Sequence, residues 1–166
     1  MKRRIVPVLL MSFTALAWNI GFWIQPVSAA NILIHMETSL AVDDAQICAV
    51  PNVAWVAVKA GHKVTILVDA SAVTPVTKGF GWFRKLTGSK TTALDRAGLP
   101  EREWQSLSEQ MGVPLGQVPH NYGEYFDVLK SKLGVEIYGN QTMMSLYKID
   151  PDRVAAAVTP IPLAGC

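Results

Sequence analysis

The chain has 166 residues, half of them apolar, with 15 Lys and Arg against 13 Asp and Glu. Three of the basic residues fall within the first thirty and the remainder is close to neutral, which excludes an electrostatic footprint for nucleic acid. No P-loop, dinucleotide fingerprint, Cys-x-x-Cys pair or Ser-centred elbow occurs, so the chemistries those motifs announce are not indicated.

In chain order, Lys2, Arg3 and Arg4 lead an apolar stretch from Ile5 to Ile24, followed by Gln25, Pro26, Val27, Ser28, Ala29 and Ala30. A basic head, an apolar middle and a small-residue exit describe a secretory signal. Cleavage is expected after Ala29 or Ala30, which makes residues 1–30 a signal peptide and residues 31–166 one periplasmic or otherwise exported domain. That domain is long enough for a full core. The competing reading is a retained anchor, because the apolar stretch approaches the roughly 20 residues that span a bilayer. Asn19, Gly21 and Pro26 favour cleavage, and a membrane becomes a partner only if the leader stays.

Asn31 to Met36 reads as a short strand buried on both faces. Asp43 and Asp44 open a helix whose small apolar surface includes Ala45, Cys48, Ala54 and Ala57, with Gly61 where a C-terminal cap belongs. Pro51 inside it predicts a kink or two short helices. Lys63 to Asp69 is a second strand, rich in β-branched residues. Strand, helix and strand with short turns form a βαβ unit with parallel strands and a right-handed crossover.

Gly79 to Leu86 is aromatic and basic. Either Phe80, Trp82, Phe83 and Leu86 cover the core, or the segment is a lid, a membrane-surface contact or a partner loop. Pro100 suits the first turn of a helix carrying Trp104, Leu107 and Met111 on one stripe, stopped by Gly112. Asn121 with Glu124 resembles a capping box, and the helix it starts ends at Gly134. Val135 to Gly139 is the third strand, Gln141 to Tyr147 a short helix, and Val154 to Val158 a further strand or short helix before a Pro160–Pro162 tail. The elements predict one α/β domain with a mostly parallel sheet and helices on both faces.

Three stretches together carry a family resemblance: Ile32 to Ser39, the joint Gly61-His62-Lys63-Val64-Thr65-Ile66, and Gly134-Val135-Glu136-Ile137-Tyr138. On these the chain resembles the DsrE/DsrF-like family, small α/β proteins associated with sulfur relay, with residues 70–125 the poorest fit. The resemblance implies a three-layer α/β/α sandwich and self-association or a protein partner. In sulfur-carrying members a cysteine follows the third strand, where a helix N-terminus lowers its pKa. That position falls on Asn140, which can cap a helix or hydrogen-bond a ligand but cannot carry a persulfide.

In open parallel sheets, ligands gather outside the carboxyl ends of the strands. His35, Glu37 and Thr38 leave the first strand there and Asn140 and Gln141 the third, so these five are the candidate pocket residues. Asp69, Ala70 and Ser71 leave the second. Ordinary loop and capping roles are the alternative for each. His35 and Glu37 form a candidate acid–base pair if the strand persists through them. His35, Met36, Met143 and Met144 are candidate soft-metal ligands, against the commoner role of adjacent methionines as core filler. Cys48 and Cys166 are the thiol candidates, either joined in a disulfide or free.

The leading expectation is an exported, non-catalytic binding or assembly module linked to sulfur or redox metabolism, without a cofactor or metal, forming a homo-oligomer or taking a protein partner. The alternatives are a sulfurtransferase or persulfide carrier using Cys166 or Cys48, and a soft-metal-binding periplasmic protein.

Overall fold

The structure is a computed structural model that describes residues 28–82 and 86–162. The expected leader up to residue 27 and the terminal Cys166 lie outside the described residues.

Four strands form the sheet: β1 (Asn31–Met36), β2 (Lys63–Val68), β3 (Glu136–Asn140) and β4 (Thr159–Ile161). They lie in the order β1-β2-β3-β4 and every neighbouring pair is parallel. The α-helices lying wholly within the described residues are α1 (Asp44–Lys59), α2 (Glu101–Met111), α3 (Tyr122–Leu133) and α4 (Gln141–Leu146). The expected α/β class and parallel sheet are therefore present, with the βαβ unit built from β1, α1 and β2.

Local chemistry sets the boundaries. The Asp43 carboxylate accepts from the Gln46 amide at 3.1 Å and starts α1. Gly61 follows the helix with φ +88°, a conformation L side chains avoid. Asn121 accepts from the Glu124 amide at 2.9 Å and starts α3, while Glu124 accepts from the His120 amide at 2.7 Å rather than from Asn121. Gly112 and Gly134 stop α2 and α3 in the left-handed region.

Register divides the sheet into two unlike faces. Ile32, Ile34 and Met36 lie beside Val64, Ile66 and Val68, and Ile66 and Val68 lie beside Ile137 and Gly139. Met36, Ile66 and Val68 are fully buried there under Ile47, Ala54 and Trp55 of α1 and Phe126 and Leu129 of α3. Trp55 and Tyr125 meet edge to face with centroids 6.3 Å apart, joining α1 to α3. The alternate side chains are Leu33, Thr65, Leu67, Glu136 and Tyr138. Leu33 is 64% exposed and the other four are half-buried.

Three expectations change. Pro51 lies inside α1, which runs as one helix of 16 residues, so of the two expected outcomes the split into two short helices does not occur. Proline deletes one donor, and the turns on either side are held by packing against β1, β2 and α3. Val154 to Val158 is neither strand nor helix; a single-turn helix spans Pro151–Arg153 and the strand is displaced to Thr159–Ile161. Pro160 sits within that strand because β4 is at the edge of the sheet, where a missing N–H leaves no ladder bond unmade. Trp82 and Leu86 do not cover the core: they are 80% and 78% exposed, with residues 83–85 outside the described set.

Gly139 provides a test of the covered face. A Cβ there would meet Met144 Cε and, at 2.9 Å, Val158 Cγ1. Gly139→Ala is expected to lower stability by about 1–3 kcal/mol through overpacking, read as a fall in Tm by circular dichroism.

Candidate functional site

Because all four strands are parallel, their carboxyl ends lie along one edge of the sheet, and chain-distant side chains converge there. Asp69 follows β2, and its amide donates to the Met36 carbonyl at 2.8 Å, extending the β1–β2 ladder by one step. Its Oδ2 lies 3.0 Å from His35 Nε2. Its Oδ1 accepts from the Ala70 amide and from Asn140 Nδ2, both at 2.7 Å. One carboxylate thus ties together the ends of β1, β2 and β3.

The ring of His35 is held from both sides, with Nδ1 3.0 Å from Glu37 Oε1 and Nε2 3.0 Å from Asp69 Oδ2. The cationic imidazole donates at both contacts and the neutral one at only one. The His35–Glu37 pair expected from the sequence is therefore formed, and Asp69 adds a second carboxylate to it. The side chains of His35 and Glu37 are 41% and 57% exposed, so the pair is open to solvent. Ala70, next along the chain, has φ +42°, a strained value for a residue with a Cβ.

The other expected residues serve the frame of this edge. Thr38 donates from its amide and hydroxyl to Gln46 Oε1 at 3.0 and 2.8 Å, fastening the β1 exit to α1. Asn140 is 1% exposed. Its Oδ1 accepts from the Thr142 and Met143 amides at 2.9 and 3.4 Å and so caps α4, while its Nδ2 binds Asp69. Gln141 opens α4, and its carbonyl accepts from the Ser145 hydroxyl at 2.9 Å. An open cleft of about 480 Å³ lies at this end of the sheet, lined by Ser39, Leu40, Ser71, Thr74, Arg96 and Tyr147 rather than by the five expected residues.

The sequence marked Asp69 only as an edge residue and gave no sign of Gln46. Asp69 had one signal, an acidic residue directly after a buried strand; Gln46 lies on a helix and meets its partners only through the turn of the β1 exit.

Cys48 is half-buried within α1. Burial, followed by a hydrogen bond with the Cys48 thiol, pushes the Tyr122 hydroxyl well above its ordinary range. Of the soft-metal candidates, His35 and Met36 are consecutive in β1 and point to opposite faces, and Met36 and Met144 are fully buried in the core. These four side chains do not converge.

No protein-family model matches the chain, and no curated protein is significantly similar to it.

Burial pushes the Asp69 carboxyl up, but the bonds from Ala70, His35 and Asn140 and the His35 charge outweigh it and hold the group below its ordinary value of 3.8. A carboxylate lowered in the folded state stabilises fully above its unfolded pKa, and that contribution is lost as pH falls through the folded one. Asp69→Asn is expected to cost about 1–3 kcal/mol above roughly pH 5, with the gap to the parent closing below about pH 4. Tm measured against pH for both proteins checks this; a gap independent of pH would contradict it.

Proposed function

We propose that the chain is an exported, DsrE-like assembly module that pairs with a second copy of itself through the less covered face of its sheet. The observation that carries this is the burial asymmetry of a wholly parallel sheet. Such sheets occur almost only with both faces covered. Here Leu33 is 64% exposed and Thr65, Leu67 and Tyr138 are half-buried on one face, while on the opposite face Met36, Val64, Ile66, Val68 and Ile137 are buried and only Ile32 and Ile34 are half-buried.

Charge supports a second copy as the occupant. Lys63 and Glu136 pair at 3.3 Å at the amino end of this face. His35 and Glu37 lie at its carboxyl end with Asp69. A two-fold axis parallel to the sheet, midway between the two facing sheets and perpendicular to the strands, turns the amino end of one face over the carboxyl end of the other. Lys63 of each copy then approaches the acidic end of its partner, and Leu33, Leu67 and Tyr138 form the apolar centre of a self-complementary contact.

Asn140 supports an assembly role over sulfur carriage. At the position where the resemblance puts the carrier cysteine, its side chain is buried and fully engaged in capping α4 and holding Asp69. Export follows from the leader sequence, and the link to sulfur or redox metabolism from the resemblance.

Sedimentation velocity of the purified protein tests the pairing. The parent is expected to sediment as a dimer at micromolar concentration and Leu33→Lys as a folded monomer, a lysine at the centre of the contact costing about 2 kcal/mol or more per dimer. A parent that stays monomeric, or a variant that dimerises equally well, would overturn the proposal.

A further inference from the structure

The aromatic and basic segment after β2 is a loop pinned at its base and apolar beyond it. The Gly79 amide donates to the Thr91 carbonyl at 2.9 Å, and the Lys78 amide to the Arg153 carbonyl at 2.7 Å. The Arg153 guanidinium donates back to the Lys78 carbonyl at 2.8 Å. Gly79 and Gly81 have φ +61° and +100°, so the chain turns sharply on either side of Phe80. A Cβ on Gly79 would press on the Ser89 carbonyl, so the two arms of the loop approach as closely as glycine allows. Beyond this base Phe80, Trp82 and Leu86 are exposed. A loop with its ends held together and large apolar side chains facing solvent is a common form of contact site.

The apolar surface extends past the loop. Phe80 and Tyr147 line two open clefts at once, of about 370 and 480 Å³. Trp82 adds to the wall of the first, and Leu40 and Val42, from the turn after β1, to the wall of the second. Val42 and Tyr147 are exposed, as is Leu146 beside Tyr147 at the end of α4.

Charge is sorted in the same place. Residues 70–94 carry Lys78, Arg84, Lys85 and Lys90 and no acidic residue, whereas the rest of residues 31–166 has eight basic against thirteen acidic residues. Lys148 and Arg153 line the first cleft and Arg96 the second. Among the described residues Asp150 is the one carboxylate on either wall, and it is engaged in accepting from the Asp152 amide at 3.0 Å.

We infer that this patch docks on an anionic phospholipid bilayer. Phe80, Trp82 and Leu86 enter the interface, where aromatic rings sit at the level of the headgroups. Lys90 and Lys148 meet lipid phosphates, as basic residues beside an anionic leaflet do. A protein groove would accept the apolar side chains equally well. A run of 25 residues with four cations and no carboxylate, in a domain otherwise acidic, instead favours a continuous negative surface. The contact uses neither the leader nor the exposed face of the sheet.

Cosedimentation of the purified protein with vesicles tests the assignment, using phosphatidylglycerol mixed with phosphatidylcholine beside phosphatidylcholine alone. Binding to the anionic vesicles is expected to be about tenfold tighter or more than to the neutral ones. It is expected to fall steeply between about 0.1 and 1 M salt, as the screening length shrinks from about 10 to 3 Å. Trp82→Ser and the double variant Lys90→Glu/Lys148→Glu are each expected to weaken it about tenfold. All three positions are exposed, so the fold persists, with circular dichroism as the control. Absence of binding to the anionic vesicles, the result expected if the partner is an acidic protein, would overturn the inference. So would equal binding to neutral vesicles, or parental affinity in either variant.

Discussion

Each described connection in this sheet moves one strand further in the same direction, from β1 to β2 to β3 to β4. Parallel crossovers are right-handed, and when they all step the same way they deliver their helices to the same side. The contacts of α1 with β1, β2 and α3 follow that rule. A doubly wound sheet reverses direction once and so covers both faces, creating a crevice at the reversal. The sequential order here has no such reversal. Burial of Met36, Ile66 and Val68 on one side, and exposure of Leu33 on the other, are two results of that single topological choice.

The carboxyl edge is held by charge-assisted bonds rather than by apolar contact. Asp69 joins residues 34 and 71 positions away in sequence, through His35 and Asn140. Its carboxylate accepts from a backbone amide, a side-chain amide and an imidazole, an arrangement that stabilises the ionised form despite partial burial. Asn140 passes the constraint on to α4 by capping it, which links that helix to the carboxylate at the end of β2. The same edge that presents an exposed imidazole to solvent also fixes the ends of three strands.

Much of this was legible from local signals. Asp43, Gly61, Asn121, Gly112 and Gly134 mark helix ends because capping depends only on residues within one turn. Alternation and β-branching in Lys63 to Val68 identify a strand for the same reason. Pro51 does not split α1 because its local cost is offset by packing on both sides of it. Val154 to Val158 misleads because its apolar character reflects burial of Val154, Ala157 and Val158 in the core, while the edge position that tolerates Pro160 is a property of the whole sheet. Within the candidate site, the His35–Glu37 pair and the capping role of Asn140 could be read from spacing and from position after a strand. The central role of Asp69 depends on which strands are neighbours, and no local pattern encodes that.

Pro160 has one more effect. β4 is a short edge of three residues, and at its middle the outward-facing donor that an incoming strand would need does not exist. A sheet that might otherwise lengthen by adding strands from other molecules is blunted on that side. Growth in the plane of the sheet is thereby opposed at β4, and contacts made out of that plane, face to face, close on themselves instead of propagating. The proline thus acts as a terminator that protects the chain from fibrous association at that edge.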